Sequence, residues 1–250
     1  MIKANDIEMV KLGGMTPEER ERYEKNKIEI NKKVSSLIAE ATKNAKLECC
    51  ILCSKPCSSF CNSHSIPQFA LKRIAEDGKV MLPLQDEILT IGKDTGVNKA
   101  GTFHIICRDC DSRTFQLYED PNAYNSKPTD QMLAQIALKD VLLMISKRNQ
   151  EREQYKLVGE QAEFLKDFAD EKIYLGDFDL RDYGEDLEYA RSSLDGRKSN
   201  RYYLCFYTVL DYVVPYVAQS SVTLISDFED SIVNNLSLIH ISEPTRLRCI

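Results

Sequence analysis

The apolar positions along the chain divide it into two helical stretches, an irregular middle and a β-like end. Over residues 16–45 they recur three or four residues apart, and Thr16-Pro17 followed by two glutamates resembles a helix start. This pattern predicts a helix over 16–45 with one apolar face. Such a face fits either a helix packed on its own domain or a helix that binds a partner.

A second apolar stripe predicts a helix over residues 129–168, with Thr129 or Asp130 as its N-cap. The stripe consists of Met132, Leu133, Ile136, Ala137, Val141, Leu142 and Ile145. This is the spacing of one helix face. A further, shorter helix is predicted over residues 177–194.

Residues 201–235 change to a β-like pattern. The stretch 202–217 is rich in Tyr, Val and Phe, which favours a strand, and we expect Cys205 within it to be a buried core residue. Two apolar runs around a polar turn predict a hairpin over 221–235.

The residues from 236 to 250 resemble the translation of a sequencing-library adapter. Residues 236–246 read LSLIHISEPTR, which matches a transposase adapter without a break, and the four residues after them resemble index sequence. We interpret 236–250 as non-native and give His240 and Cys249 no function. A genuine amphipathic tail is the alternative. The interpretation implies a natural gene that continues further and a β-containing region that is truncated.

The middle of the chain holds both histidines outside the tail and most of the cysteines, with little periodicity. That composition is typical of a small domain organised around a metal ion. The predicted organisation is a helical segment over 1–45, a zinc module over 46–127, an α+β region over 128–235 and the tail over 236–250. The predicted fold class is α+β.

Composition and charge limit the functions that need to be considered. We find no N-terminal signal peptide, so we expect a cytoplasmic protein whose nine cysteines are thiols and metal ligands, with no disulfide framework. No segment is apolar and long enough for a membrane span, so no membrane partner is expected. The net charge is −6, and residues 128–235 carry twelve basic and twenty acidic side chains. A nucleic-acid contact would therefore be local to the zinc module.

Two Cys-x-x-Cys pairs predict a metal site. Cys50 and Cys53 form the first pair, and Cys107 and Cys110 form the second. Each spacing places two thiolates on one tight turn, and two such turns complete the tetrahedral site that zinc prefers. The sequence therefore predicts a structural Zn²⁺ held by four thiolates.

Three further cysteines lie near the first pair. Cys49 adjoins Cys50 and could only exchange with it as a ligand. Cys57 and Cys61 fit either a second pair or small buried apolar residues.

Two short motifs accompany the cysteine pairs. Residues 63–67 read SHSIP, and residues 102–111 read TFHIICRDCD. This order resembles HNH nucleases that carry a stabilising zinc, in which Cys-x-x-Cys is followed by Asp-His-Ile-x-Pro and then by Asn and Cys-x-x-Cys-His. It also resembles uncharacterised proteins with Ser-His-x-Ile-Pro and a later Cys-x-x-Cys-Asp, Phe and Tyr-Glu. The last three are matched here by Phe115, Tyr118 and Glu119. The resemblance covers roughly residues 48–120.

The resemblance implies a treble-clef-like ββα zinc module flanked by helices. It also implies a hydrolase that cleaves DNA or RNA, in which His64 is the general base and Mg²⁺ or Mn²⁺ the catalytic ion. Ser63 stands where the family has Asp, Thr102 where it has Asn, and Asp111 where it has His. Asp111 could still bind the hard cation, and His104 is a further catalytic candidate.

The alternative function is a non-catalytic zinc-binding module for nucleic acid or another protein. In that interpretation His64 and His104 brace the zinc loops, or one of them replaces an unused cysteine as ligand. Protein partners are not specified by the sequence, and whether the chain is an enzyme stays open between the two interpretations.

Overall fold

The computed structural model describes residues 16–82, 93–194 and 202–219, and the elements below belong to these ranges. Helix α1 spans Pro17–Asn44 and confirms the predicted N-terminal helix. Most of its described side chains are exposed, whereas Ala41 is fully buried.

Short elements make up the middle of the chain. In order they are β1 Ser63–His64, α2 Gln68–Ile74, β2 Lys79–Leu82, β3 Lys93–Gly96, β4 Thr102–Phe103, α3 Arg108–Thr114, α4 Gln116–Glu119 and a 3-10 helix at Pro121–Asn125. The strands form two antiparallel pairs. β1 pairs with β4 so that His64 lies opposite Thr102, and β2 pairs with β3 so that Lys79 lies opposite Gly96.

Two long helices follow. Helix α5 spans Asp130–Gln161, and the Thr129 hydroxyl accepts a 3.2 Å hydrogen bond from the backbone N–H of Met132, which confirms the predicted cap. The prediction that this helix continues to residue 168 is wrong. Ala162 leaves the helical conformation, a 3-10 turn follows, and α6 then spans Lys166–Leu194.

The helix predicted over 177–194 is therefore the second half of α6. Neither proline nor a glycine cap marks the break at Ala162, so the sequence carries no local signal for it.

The chain forms two compact units. The first comprises the chain up to Lys46 together with Lys147–Asp177. Within it the end of α5 packs along the start of α6. Tyr155 meets Phe168 edge-to-face at 6.0 Å, and a side chain at Gly159 would lie 3.3 Å from the Ala169 methyl group. A small residue at 159 lets the two helices approach this closely.

The second unit comprises Leu47–Ser146 and the chain from Phe178 on. Its main core lies between α3, the first half of α5 and the second half of α6. The largest fully buried core side chains there include Phe103, Ile106, Phe115, Leu138 and Leu142. A smaller cluster of Leu71, Val80, Val97 and Ala100 lies under the second strand pair.

The stretch 202–219 contains no strand, so the β prediction for 202–217 is wrong for these residues. Cys205 is exposed, and its predicted core position is wrong as well. Aromatic and β-branched residues favour strands only where a neighbouring strand and a buried face exist. The predicted hairpin over 221–235 and the tail over 236–250 lie outside the described residues.

The described chain is mixed and helix-rich with two small two-stranded sheets, in keeping with the α+β class. Among the described helices, none is both long and apolar enough to cross a bilayer.

Candidate metal centre

The first cysteine pair lies on a tight loop that follows α1. The N–H of Cys50 donates to the carbonyl of Lys55 (2.9 Å), and the N–H of Ser54 donates to the carbonyl of Cys50 (2.8 Å). Ser54 has a φ of 57°, in the left-handed region. These bonds turn the chain back on itself, so that Cys50 and Cys53 face the same side.

The second pair stands at the start of α3. Cys107 is the N-cap residue and Cys110 lies in the first turn, three residues later. Residues three apart share one face of a helix. The N–H of Ile51 donates to the carbonyl of Ile105 (3.0 Å), and the N–H of Cys61 donates to the carbonyl of Ile106 (2.8 Å). The loop that carries the first pair is thereby held against the segment that leads into the second.

The four thiols lie together, with all Sγ atoms within 4.8 Å of one another. The Sγ atoms of Cys53 and Cys107 are 3.9 Å apart. A zinc ion about 2.3 Å from four sulfurs requires edges of about 3.8 Å. Cys50 and Cys110 are buried, while Cys53 and Cys107 are partly exposed. The donor set and its spacing fit a metal ion such as zinc.

Hydrogen bonds prepare one of the four thiols for ionisation. Burial alone would raise the pKa of Cys50, but the backbone N–H groups of Cys107, Cys53 and Leu52 outweigh it and lower the pKa to about 7. The Cys107 N–H lies 3.2 Å from the Cys50 sulfur.

The pKa of Cys110 is shifted in the opposite direction. Burial, followed by hydrogen bonds with the neighbouring thiols, raises its pKa. Four thiolates in so small a space therefore require a cation among them, since a bound metal ion deprotonates coordinating thiols.

The remaining cysteines of residues 46–127 are not part of this group. Cys49 is exposed. Cys57 directs its thiol to the carbonyl of Ser59 (3.2 Å), whereas Cys61 directs its thiol to Asp111 Oδ2 (3.4 Å). Burial and the charge of Asp111 raise the pKa of Cys61 to about 11, and its sulfur is not one of the four that lie together.

His64 lies on β1 and is half-buried. Its Nε2 is 3.0 Å from the carbonyl oxygen of Val97. Because a carbonyl only accepts hydrogen bonds, Nε2 carries the proton and Nδ1 is the basic nitrogen of the neutral ring. Asn62 and Gln68 bind the same loop through Asn98, each at 2.8 Å. These side chains together hold the connection between β3 and β4.

Gly101 closes that connection. Its φ is +62°, and a side chain there would meet the Ser65 hydroxyl at 2.9 Å. The N–H of Ser65 donates to the carbonyl of Gly101 (2.9 Å). Glycine meets both conditions without strain, because it has no side chain and readily adopts a positive φ.

The two other predicted catalytic residues, His104 and Asp111, lie on different segments from His64. His104 is exposed and follows β4, three residues before Cys107. Asp111 lies on α3, directly after Cys110 of the four-cysteine group. Among the described residues, the four cysteines are the one group of three or more His, Cys, Asp or Glu side chains whose ligand atoms lie close enough together to hold a metal ion.

Asp111 instead belongs to a charged cluster that the sequence analysis missed. The Ser63 hydroxyl donates to Asp111 Oδ1 (2.5 Å), and the Lys139 ammonium lies 2.9 Å from the same oxygen. The ammonium also lies 2.7 Å from Ser63 Oγ and 3.2 Å from Glu119 Oε1. Lys139 is completely buried.

Aromatic rings complete the surroundings of this ammonium. Its nitrogen lies 4.1 Å from the centre of the Phe115 ring and 5.8 Å from that of Phe103. Ring faces attract cations. Burial would raise the pKa of Asp111, but the charge of Lys139 and the hydrogen bond from Ser63 outweigh it and hold that pKa below its usual 3.8.

The position of Lys139 in the sequence could have revealed this charged cluster. It lies three residues from both Ile136 and Leu142, on the apolar stripe of α5. Lysine is almost never fully buried unless it is paired. A lysine on such a stripe therefore predicts a buried carboxylate partner.

No protein-family model matches this chain, and neither a curated protein nor a solved structure is significantly similar to it. The interpretation of the site consequently rests on the residues and distances given above.

Proposed function

We propose that this chain is a zinc-stabilised, non-catalytic binding module whose partner is another protein. Zn²⁺ would be held by Cys50, Cys53, Cys107 and Cys110 and would supply folding free energy to the second unit. A tight cysteine loop, a β pair and a helix that begins at the second cysteine pair support a treble-clef-like arrangement.

The observation that carries the proposal is the position of the Lys139 ammonium. The resemblance to HNH nucleases assigns ligands of the catalytic ion to the positions of Ser63 and Asp111. In this chain the oxygens of both residues bind the ammonium, at 2.7 and 2.9 Å. A hard cation at that place would have to displace a buried positive charge, which opposes metal-dependent cleavage.

The same cluster is also unsuited to nucleophilic catalysis. Ser63 is only 1% exposed, so a substrate carbonyl or phosphate has no access to its hydroxyl. The Lys139 ammonium forms ion pairs with Asp111 at 2.9 Å and with Glu119 at 3.2 Å. A charged lysine is no general base for the serine.

Charge favours a protein partner over a nucleic acid. The chain carries a net charge of −6. Phosphate contacts supply most of the affinity of nucleic-acid binding proteins, and they need clustered Lys and Arg.

A second candidate is metal-dependent phosphodiester cleavage, which one observation favours. The bond from His64 to Val97 leaves Nδ1 as the basic nitrogen, the arrangement that a general base needs. Under this candidate, His64→Ala would abolish cleavage with Mg²⁺ or Mn²⁺ and leave the zinc content unchanged.

The deciding experiment uses the full chain loaded with zinc. Supercoiled plasmid and structured RNA are incubated with Mg²⁺ or Mn²⁺, using wild type and His64→Ala at equal concentrations. The proposal predicts no cleavage above the His64→Ala background. Cleavage by wild type alone would establish the second candidate and overturn the proposal.

The partner class is tested separately. Fluorescence anisotropy with labelled duplex DNA and single-stranded RNA should show no binding that falls steeply with salt. In crosslinking and mass spectrometry, a protein partner should be recovered with zinc-loaded wild type and with Cys49→Ser, but lost with Cys107→Ser. Salt-dependent binding of either nucleic acid would replace the protein partner with a nucleic-acid one.

A further inference from the structure

We propose that the oxygens of Ser63, Asp111 and Glu119 form a cation site that the Lys139 ammonium fills, and that this site accepts a hard divalent cation once the lysine is shortened. The inference deepens the proposed function and rests on it, because it explains how the second unit does without a second metal ion.

The geometry around the nitrogen is that of a filled cation site. An ammonium group has three N–H bonds. Three oxygens lie within 3.2 Å of it: the Ser63 hydroxyl, one Asp111 oxygen and one Glu119 oxygen. The Ser63 and Asp111 oxygens accept hydrogen bonds from the ammonium, and the Glu119 oxygen forms an ion pair with it.

The site is assembled from separate parts of the fold. Ser63 comes from β1, Asp111 from α3, Glu119 from the end of α4, and Lys139 from the first third of α5. A single positive charge thus joins four elements of the second unit. The Phe115 ring, 4.1 Å from the nitrogen, adds a contact that also attracts cations and is independent of the carboxylates.

The charges and donor atoms indicate which other cation would fit. Two carboxylates and one ammonium leave an excess of one negative charge, and removal of the ammonium leaves two. Carboxylate and hydroxyl oxygens suit Mg²⁺ and Mn²⁺, whereas thiolates suit zinc. The two centres therefore select different ions, although Cys110 and Asp111 are adjacent in the chain.

The test compares zinc-loaded wild type with Lys139→Ala and Lys139→Met. The alanine removes the charge and opens space for an ion with water, whereas the methionine removes the charge and keeps the space filled. Mn²⁺ binding is followed by the electron paramagnetic resonance signal of the free ion. Lys139→Ala should bind one more Mn²⁺ per chain than either wild type or Lys139→Met.

Adding Asp111→Asn to Lys139→Ala should weaken that Mn²⁺ binding by about tenfold or more, since even the outer partners of a metal contribute this much. The inference is overturned if zinc-loaded Lys139→Ala binds no more Mn²⁺ than wild type. It is equally overturned if the extra binding survives Asp111→Asn.

Because Lys139→Ala removes a buried side chain, a second measurement follows its melting temperature with added n-propylammonium, which reproduces the part of the side chain that was removed. The temperature should rise with n-propylammonium or Mn²⁺ and stay unchanged with neutral n-propanol. An equal response to propanol, or none to either cation, would contradict a cation site. Cleavage of nucleic acid by wild type would instead overturn the proposed function, so the two failures are distinguishable.

Discussion

In the second unit, the four-cysteine group and the carboxylates of Asp111 and Glu119 both need a positive charge beside them, but the charge comes from different sources. The four thiols of the cysteine group lie within 4.8 Å of one another and need an external cation before all can ionise. The carboxylates of Asp111 and Glu119 face a cation that the chain itself supplies through Lys139. We expect folding to depend on the supply of metal at the first centre and on one buried side chain at the second.

Loss of the external cation, the metal ion at the four cysteines, should lower the stability of the second unit more than any other change. Cys107→Ser removes one of four sulfurs, and the second unit should unfold. In zinc-finger peptides at neutral pH, zinc binding contributes an apparent free energy of about 10–16 kcal/mol. This is about as much as the whole stability of a domain, roughly 5–15 kcal/mol. Elemental analysis should find about one zinc per wild-type chain and far less in the variant.

Cys49→Ser is the matched control for this change. Cys49 adjoins Cys50 but is exposed and lies outside the thiol group. Its zinc content and circular dichroism should equal those of wild type. Equal zinc loss in both variants would show that the ligand set has been assigned wrongly.

Loss of the internal cation should have the next largest effect. Lys139→Met leaves Asp111 and Glu119 without their buried partner, and breaking a buried pair from one side costs about 3–5 kcal/mol. Chemical denaturation monitored by fluorescence or circular dichroism measures the change, and the zinc content should stay at the wild-type value.

A double-mutant cycle measures the interaction free energy between Lys139 and Asp111. Lys139→Met combined with Asp111→Asn should recover part of the lost stability, because the carboxylate that lacked a partner is then neutral. Strictly additive losses would mean that the two side chains act independently.

Acid should weaken the internal centre by a smaller amount. The folded-state pKa of Asp111 lies below its ordinary 3.8. Its contribution is therefore fully present at neutral pH and is lost as the pH falls below about 4 towards the folded pKa. Wild type should lose more stability than Asp111→Asn across this range in urea titrations at constant ionic strength. If the unfolding free energy of both proteins fell equally with pH, Asp111 would be excluded as the source of the acid sensitivity.

Deletion of residues 236–250 should have the smallest effect. If these residues are translated adapter, they were not selected together with either centre, and the melting temperature should stay the same. A fall of several degrees would indicate a native, packed tail.

The sequence predicted the external centre better than the internal one, for a physical reason. The spacing of Cys107 and Cys110 is a local pattern, and two such turns need only one ion to bring them together. The partners of Lys139 lie 76 positions away at Ser63 and 28 positions away at Asp111, so only the tertiary structure shows that they meet.

The fold shows the same division. The helix over Pro17–Asn44 and the cap at Thr129 follow from local periodicity and capping, and both predictions are confirmed. The break at Ala162 and the lack of a strand over 202–219 depend on how neighbouring parts of the chain pack, which residue preferences do not specify.

The central claim is that the second unit uses one external cation and one internal cation. Its most direct test is the metal content of wild type after dialysis against Zn²⁺ and Mn²⁺ together, followed by removal of free ions. We expect about one zinc per chain and no more manganese than in Asp111→Asn. A second ion in wild type that disappears in Asp111→Asn, with zinc unchanged, would contradict it.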